Sequence, residues 1–283
     1  MFKIGKITLD LNEVIIMAVL NVSPESFFTG SVKSSDKEIE DFVLKAVKYG
    51  AKIIDVGGMS TAPYKNTFVS QEVELGRVKR AMSVLKNLAL DVEISIDTQR
   101  SKVMETALNF GATIVNDVSG FSDPNSLKVA KDHSASVIAV AHGIPSEKTE
   151  PSEYVIKSID DAINRALKAG IDEKSIAIDP AIGFIRPVWM DSSEWDISIL
   201  NNLSSIKSVF KKPLLVGVSR KSFIGKIAEE LDPAKRLAGS LAAEIISVQR
   251  GANIIRAHDV YELVQALKVA ERLLKNFKLK LYF

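Results

Sequence analysis

The chain of 283 residues is 46% hydrophobic and 25% charged, an ordinary composition for a soluble protein with enough length for a large core. Its formal net charge is only +2, from 37 basic and 35 acidic residues, which argues against a general nucleic-acid binder. The absence of cysteine excludes disulfides, thiolate metal sites and a cysteine nucleophile, and it is compatible with a reducing or hot cell interior.

The first part of the chain favours neither an export signal nor a membrane anchor. The apolar run Val14–Leu20 is too short to span a bilayer, and acidic Asp10 and Glu13 stand where a signal peptide carries positive charge. We therefore expect a cytoplasmic protein with no membrane partner. The weak alternation over Phe2–Glu13 predicts a small β-hairpin that caps the bottom of the fold.

Short apolar runs alternate with longer amphipathic segments along the chain. The runs have strand length and are continuously apolar, as expected for parallel strands buried on both faces. They are Val14–Leu20, Ile53–Val56, Val92–Ile96, Thr113–Val115, Ser136–Val140, Ser175–Ile178, Leu214–Val218 and Asn253–Ile255. The segments with helical periodicity are 36–49, 70–89, 100–110, 124–132, 153–169, 194–210, 234–249 and 259–276.

Eight strand–helix pairs without a linker-like break predict an α/β fold, a (β/α)8 TIM barrel with a short N-terminal β-hairpin, as one domain over residues 1–283. An open doubly wound sheet usually has fewer strands and a glycine-rich first turn, and the chain contains no GxGxxG. Left-handed C-caps are predicted at Gly50, Gly111, Gly170 and Gly251, and N-caps at Ser70, Ser101 and Asp259.

Each apolar run ends in polar or charged residues, and in a barrel these ends meet at one face. Local capping explains a single Asn, Asp or Ser, but it does not require Asn, His, Lys and Arg together. We therefore interpret the strand ends as a binding site. They are Asn21, Asp55, Asp97, Asn116–Asp117, His142, Asp179, Ser219–Ser222 and Arg256–His258.

The residue types at these strand ends suggest a ligand. Asp and Asn side chains can bind the donor-rich edge of a planar heterocycle. Lys221, Arg256 and His258 suit a phosphate or pyrophosphate, and the basic tip Ser219–Ser222 opens a helix. A zinc site is disfavoured because the chain has only three His and no HExxH pattern, whereas Mg²⁺ held by one or two oxygens and a substrate phosphate stays open.

The order of these motifs resembles dihydropteroate synthase, of the pterin-binding barrel superfamily. The resemblance covers almost the whole chain, and the string Ser-Arg-Lys-Ser-Phe-Ile-Gly at 219–225 is its most specific part. The matching segments are Leu20–Phe27, Asp55–Thr61, Ile96–Thr98, Asn116–Gly120, Asp179–Phe184, Ser219–Gly225, Gly239–Ala243 and Arg256–Asp259.

The resemblance implies an activity: condensation of 6-hydroxymethyl-7,8-dihydropterin pyrophosphate with p-aminobenzoate or a related arylamine, with release of pyrophosphate, in folate synthesis. It also implies roles for individual residues. The pterin would be held by Asp97, Asn116, Asp179 and Lys221, and the pyrophosphate by Asn21, Arg256 and His258, with Mg²⁺ near Asn21. The arylamine would be bordered by Thr61, Lys221 and Ser222, and catalysis would depend on Lys221, Asp97, Arg256 and His258.

Three departures from the family pattern set this chain apart, and they favour a divergent, archaeal-type member. Ala62 replaces the arginine of the second loop, Thr29 replaces the aspartate of the first, and the fifth strand ends in Val-Ala-His142-Gly. These changes on the acceptor side favour a ribosylated aminobenzene phosphate, as in methanopterin-type cofactors, as a variant substrate. Alternatively, Arg186 or Lys65 replaces the missing arginine.

Two further interpretations remain. A pterin-dependent methyltransferase shares the barrel and the carboxylate–Asn pocket, but such proteins generally lack the Ser-Arg-Lys-Ser string and the Arg-x-His pair. A non-enzymatic pterin-binding protein is the other. The resemblance also implies a homodimer, for which the helices over 234–249 and 259–276 are the candidate interface.

Overall fold

A closed barrel of parallel strands forms the centre of the fold. The computed structural model describes residues 1–25, 30, 32–61, 68–274 and 277–280. The barrel strands are β3 (Glu13–Asn21), β4 (Ile53–Gly57), β5 (Glu93–Asp97), β6 (Ile114–Asn116), β7 (Ser136–Val140), β8 (Ile176–Asp179), β9 (Leu215–Val216) and β10 (Ile254–Ala257). They follow β1 (Phe2–Ile4) and β2 (Ile7–Leu9), and β11 (Lys278–Leu279) comes last.

The strand order confirms the predicted (β/α)8 barrel. Hydrogen-bonded neighbours run β8-β7-β6-β5-β4-β3-β10-β9, and each of these pairs is parallel. A bridge between Ile178 and Leu214 joins the two ends, supported by a 2.9 Å hydrogen bond from Ile178 N to Pro213 O. The inner strand β3 is buried over Val14–Leu20, as its continuous apolar run predicts.

The predicted N-terminal hairpin is confirmed, and it caps the bottom of the barrel. β1 and β2 pair antiparallel. The turn donates hydrogen bonds from Gly5 N to Ser136 Oγ (3.0 Å) and from Lys6 N to Glu93 Oε2 (2.9 Å). Because Ser136 and Glu93 begin β7 and β5, the hairpin lies at the end opposite the predicted site. The two-residue strand β11, which pairs with the start of β3, is too short to leave a periodic signal.

The helices alternate with the strands, with one difference from prediction. They are α1 (Asp36–Lys48), α2 (Gln71–Leu88), α3 (Ser101–Asn109), α4 (Ser126–Asp132), α5 (Pro151–Lys168), α6 (Ser192–Asn201), α7 (Leu203–Phe210), α8 (Ser222–Ile227), α9 (Leu237–Gln249) and α10 (Val260–Leu273). The predicted single helix over 194–210 is wrong, because α6 ends and α7 begins at Asn202, whose Nδ2 donates to Ser198 O. The helix predicted to begin near Ser222 is confirmed as the six-residue α8. No helix in the described ranges has the length and apolar character needed to cross a bilayer.

The predicted caps are confirmed in part. The four glycines that follow helices have φ angles of +103°, +109°, +84° and +101°, and Ser70 Oγ accepts from Val73 N. The N-cap prediction at Ser101 is wrong: Arg100 holds that position, and the Ser101 amide donates to Asp123 Oδ2 at 2.9 Å.

Buried Glu74 on α2 ties this helix to the end of β5. Its carboxylate accepts from Thr98 Oγ1 and from Arg100 Nη1, both at 2.6 Å. The same guanidinium donates to Val69 O at 2.7 Å, so it also holds the backbone that leads into α2. Glu74 is fully buried, and a buried carboxylate is stable only while its partners remain.

We expect Glu74→Ala to lower the free energy of unfolding by about 3 kcal/mol, because it leaves the Arg100 cation buried without its carboxylate. Exposed Glu72 lies on the same helix, and Glu72→Ala should leave the free energy of unfolding close to that of the wild type. Urea unfolding of both variants measures the difference. Equal stabilities would mean that the buried pair contributes nothing.

Candidate active site

A row of polar side chains crosses four adjacent strands at their carboxyl ends. The register pairs Asn21 with Gly57, Gly57 with Asp97, and Asp97 with Asn116. Gly57 has no side chain, so it leaves the space between the side chains of Asn21 and Asp97 unfilled. A Cβ at this position would lie 3.7 Å from Asn21 Oδ1 and 4.0 Å from Asp97 Oδ2. Asn21, Asp97 and Asn116 are therefore brought together, as the strand ends predict.

Arg256 joins this row to a second carboxylate. Its Nε donates to Asp55 Oδ2 at 2.7 Å, and its Nη2 donates to Asp97 Oδ2 at 2.8 Å. Asn116 Nδ2 donates to the same Asp55 oxygen at 3.3 Å. The sequence placed Asp55 among the strand ends but not in the pterin-binding set, and its contacts place it at the centre of this network.

The acidic groups of the site are held in a poorly solvated environment. Burial raises the pKa of Asp97 to about 7, although the charge of Arg256 opposes this effect. Burial also raises the pKa of Asp179, whose Oδ1 accepts a 2.7 Å hydrogen bond from Ala181 N. The Asp97 carboxyl can therefore gain or lose a proton near neutral pH.

Lys221 stands at the N-cap position of α8 and faces the loop that follows β8. Its ammonium donates to Ile182 O and lies 4.2 Å from the centre of the Phe184 ring. A Cβ at Gly183, where φ is +82°, would lie 2.6 Å from Lys221 Cδ, so this close approach requires glycine. Burial lowers the pKa of Lys221 to about 8, an effect that the charge of Asp179 partly offsets.

Asp196 on α6 holds the same loop by a hydrogen bond, and its part in the site was not predicted from the sequence. Its Oδ1 accepts from Gly183 N at 2.7 Å, and burial raises its pKa to about 6. The available signal was an acidic residue between Trp195 and Ile199, on the face that α6 buries.

Arg220 holds the polypeptide around Lys221. Its backbone is left-handed, with φ of +59°, and its guanidinium donates to both oxygens of Asp259, at 2.9 and 2.7 Å. It also donates to the carbonyls of Pro233 and Ala234. This agrees with a structural role for Arg220. Asp259 holds the predicted N-cap position of α10, but its side chain accepts hydrogen bonds from Arg220 and makes no capping hydrogen bond to the helix.

Ser222 is the first residue of α8 rather than its cap, since Lys221 occupies the cap position. Its hydroxyl instead accepts from Arg186 Nη2 at 3.4 Å.

His258 lies beside these cations, half-buried, and its amide donates to Ser219 Oγ at 3.4 Å. Burial, together with the charges of Arg256, Arg220 and Lys221, lowers the pKa of His258 to about 3. Its imidazole is therefore neutral at pH 7, whereas the sequence analysis counted it among the cations.

His142, at the end of β7, packs against α5. Its Nε2 accepts from Arg165 Nη2 at 2.8 Å, and its Nδ1 lies 3.1 Å from Val140 O, so Nδ1 carries the proton. Burial lowers the pKa of His142. The hydrogen bonds of this side chain lead outward to helix α5.

The loops after β3 and β4 are joined through α2. Arg77 makes two 2.9 Å hydrogen bonds to the Glu25 carboxylate and a third to Gly58 O. The Arg77 hydrogen bond is the main reason that the pKa of Glu25 falls to about 2, although burial opposes it. Thr61 is half-buried and ends a described range, and the predictions on Thr29, Ala62 and Lys65 lie outside the described residues.

No group of three or more His, Cys, Asp or Glu side chains that could hold a metal ion occurs in the part of the chain that the structure describes. Asn21 contributes a single neutral oxygen to this end of the barrel. A dedicated protein cage for a metal ion is therefore not formed by the described residues.

Comparison with known proteins agrees with this geometry. A family model described as pterin binding enzyme matches residues 17–258. The chain is 35% identical over 282 residues to dihydropteroate synthase of Escherichia coli K12, covering 97% of both chains. The relatives compared include bacterial and fungal proteins, so the archaeal-type interpretation stays a prediction.

Solved structures agree as well. Dihydropteroate synthase of Xanthomonas albilineans with 4-aminobenzoic acid has a TM-score of 0.84 at 29% identity, over 96% of this chain and 97% of that one. The same enzyme with 7,8-dihydropteroate gives a TM-score of 0.82 at 29% identity, over 96% and 98%. Together with the buried acid–amide–arginine network at the strand ends, these matches show that the chain belongs to the pterin-binding enzyme family, in its dihydropteroate synthase branch.

Proposed function

We propose that the chain is a transferase that condenses 6-hydroxymethyl-7,8-dihydropterin pyrophosphate with p-aminobenzoate, giving dihydropteroate and pyrophosphate for folate synthesis. The observation that carries this proposal is the network of Arg256 with Asp55 and Asp97, placed beside Lys221 in the barrel mouth. The near full-length similarity to the E. coli enzyme supports it. So do the Xanthomonas structures with 4-aminobenzoic acid and with 7,8-dihydropteroate.

The pterin would bind to Asp97, Asn116, Asp179 and Lys221. A carboxylate accepts from paired N–H groups, while the Asn116 amide can both donate and accept. Asn116 Nδ2 is oriented by Asp55, which leaves its Oδ1, a buried atom without a hydrogen-bond partner among the described residues, available to a pterin N–H. Asp55 thus acts on the pterin indirectly.

The pyrophosphate would bind to Asn21, Arg256 and His258. Arg256 already lies between two carboxylates, so binding of a dianionic group would divide its guanidinium between Asp97 and the phosphate oxygens. The neutral His258 would first donate a single hydrogen bond. A bound pyrophosphate would then raise its pKa and favour the charged form.

Mg²⁺ is proposed to bind at Asn21. The amide oxygen is a hard ligand of the type that Mg²⁺ accepts, and substrate phosphates would complete its coordination. The ion would supply neutralisation of negative charge on the leaving pyrophosphate. This arrangement fits a structure whose described residues provide one neutral oxygen here rather than a carboxylate cage.

The reaction would exchange one bond at the pterin methylene carbon for another. The carbon–oxygen bond breaks and its electron pair leaves with the pyrophosphate, while the arylamine lone pair forms the carbon–nitrogen bond and the nitrogen then loses a proton. Positive charge develops on the methylene, near the carboxylates of Asp97 and Asp179, which would stabilise it. Because a neutral arylamine is already nucleophilic, positioning by Thr61, Lys221 and Ser222 would replace a strong base.

This arrangement predicts a bell-shaped pH dependence of kcat/KM for the pterin substrate. Asp97 must be ionised to accept pterin N–H groups, so activity should fall as the pH drops below about 7. Lys221 must be protonated, so activity should fall again above about 8. Pre-steady-state or steady-state profiles of the wild type and Asp97→Asn test this. The variant, although much slower, should lose the acidic limb, and an unchanged acidic limb would assign that limb to another group.

A homodimer is proposed through the outer face of α6, α8 and α9. An apolar groove of about 310 Å³ lies there. Its walls include Ile197, Leu200, Phe223, Ile224, Ala243 and Ile246. Next to it, Leu231 is 90% and Ile227 63% exposed, which is unusual for side chains of this size. The sequence analysis places α9 and α10 at the interface. The apolar groove supports the participation of α9, and the participation of α10 stays a prediction.

The most discriminating experiment for the acceptor is an assay with p-aminobenzoate and the ribosylated aminobenzene phosphate side by side, with product identified by mass spectrometry. We expect faster product formation with p-aminobenzoate. The relatives give no support to the ribosylated acceptor, to a methyltransferase or to a non-enzymatic role. The single domain over 1–283 and the cytoplasmic location stay predictions.

A further inference from the structure

We propose that His142 is a positioning residue for the pterin: its ring packs against Gly120 and fixes the loop after β6, which begins at Asn116. This inference rests on the proposed function, in which Asn116 binds the pterin. It assigns to a side chain just beyond β7 a part in pterin binding that is exerted through another residue.

Helix α5 fixes both the backbone and the ring of His142. Ser158 Oγ accepts a 2.8 Å hydrogen bond from His142 N, and Tyr154 OH donates to His142 O at 3.0 Å. Arg165 Nη2 donates to the ring Nε2 at 2.8 Å, which requires a lone pair and therefore a neutral ring. Burial lowers the pKa of His142, and the charge of Arg165 acts in the same direction. The imidazole is therefore held neutral and in one orientation.

The fixed ring lies directly against Gly120. A Cβ at Gly120 would lie 2.5 Å from His142 Cγ and 2.7 Å from its Cε1, too close for any side chain unless the ring moves. Gly120 has a φ angle of +62°, and buried Phe121 follows with +65°. A bulky residue such as Phe121 keeps this left-handed conformation only where its surroundings impose it. The His142 ring is one such constraint on the loop.

The turn between Asn116 and Gly120 is braced by its own hydrogen bonds. Gly120 N donates to Asp117 O at 3.0 Å. Asp117 Oδ1 accepts from Ser119 N at 2.8 Å and from Ser119 Oγ at 2.6 Å. Because these bonds join the turn into one unit attached to Asn116, a displacement at Gly120 would reach Asn116. Loss of the ring would therefore change the position of the amide that binds the pterin.

Substitution of His142 in the full-length protein tests the inference. For His142→Ala we expect the KM for the pterin pyrophosphate to rise roughly tenfold, the effect of weakening one buried hydrogen bond. The KM for p-aminobenzoate and kcat should change little. His142→Gln should restore much of the pterin KM, because its planar amide can still accept from Arg165. His133→Ala, which removes an exposed histidine at the end of α4, should leave both KM values unchanged.

Gly120→Ala tests the same contact from its other side. The added methyl group would displace the ring or the loop, so the pterin KM should rise while the KM for p-aminobenzoate should not. When Gly120→Ala is combined with His142→Ala, the methyl group no longer meets the ring. The combined rise should therefore be smaller than the product of the two separate rises.

The outcomes separate this inference from the proposed function. If the wild type forms no product, the proposed function is wrong and this inference is wrong with it. If the wild type is active and His142→Ala leaves the pterin KM unchanged, or raises both KM values equally, His142 does not position the pterin. Rises that simply multiply in the double variant would show that the ring and Gly120 act separately, against the inference. Should His142→Ala fail to fold, an unchanged pterin KM in Gly120→Ala would overturn it.

Discussion

Lys221→Ala should lower kcat/KM for dihydropteroate formation by roughly 10²–10³-fold or more, the scale expected when a preorganised charge is removed from a reaction centre. The ammonium lies between the loop after β8 and the acidic groups of the barrel. A water molecule at the same place would carry no charge, so it could not substitute for the ammonium. The fold should be retained, with a change in unfolding free energy within about 1 kcal/mol, because burial already disfavours this charge.

The control for Lys221 lies five residues further along the chain. Lys226 is more than half exposed and pairs with Asp191 at the outer end of α8. Lys226→Ala should keep wild-type kinetics. Stopped assays of product formation, with urea unfolding of each variant, give both quantities. Near-normal turnover by Lys221→Ala would remove Lys221 from the proposed site.

Arg256→Ala should be the most destabilising single change in the site, by roughly 3–5 kcal/mol at pH 8. It leaves the Asp55 carboxylate, fully buried, and the Asp97 carboxylate without their shared cation. Without this cation, burial would raise the pKa of Asp97 further, so the native state would bind more protons than the unfolded chain. Under this linkage, stability falls as the pH rises, and the deficit should be smaller at pH 5 than at pH 8.

A second substitution tests the cause of that loss. Asp55→Asn in the Arg256→Ala background removes one of the two carboxylates and should recover much of the stability at pH 8, without recovering activity. Urea unfolding at both pH values measures the effect. A stability deficit that does not depend on pH, or that Asp55→Asn does not reduce, would show that Arg256 stabilises the fold through packing rather than charge.

The barrel could be predicted from the sequence because its strands are buried on both faces. Runs such as Val14–Leu20 contain no polar residue, so they are not mistaken for amphipathic helices or loops. The helices between them keep a clear helical period of apolar residues. The break at Asn202 could not be predicted, since it depends on side-chain contacts that do not alter the apolar period.

The composition of the site was predictable and its electrostatics were not. Strand ends place Asn21, Asp97 and Asn116 in one row whatever the details of packing. The sequence alone does not indicate that the Arg256 guanidinium donates hydrogen bonds to Asp55 and Asp97.

Burial decides two further features of the site. From the sequence alone, a histidine counts as a potential cation. In the structure, the surroundings of His258 lower its pKa, and burial is the largest cause. Asp196 looked like a polar residue on an apolar helix face until its hydrogen bond to Gly183 was known. Both depend on distances in three dimensions, which no single motif contains.

The central claim is that this chain couples pyrophosphate release to carbon–nitrogen bond formation. Simultaneous time courses of pyrophosphate and dihydropteroate, with the pterin pyrophosphate, p-aminobenzoate and Mg²⁺, test it most directly. We predict equal amounts of both products, and none of either when the arylamine or Mg²⁺ is omitted. Methyl transfer from a methyl-pterin to a corrinoid protein, without formation of pyrophosphate and dihydropteroate, would contradict the account.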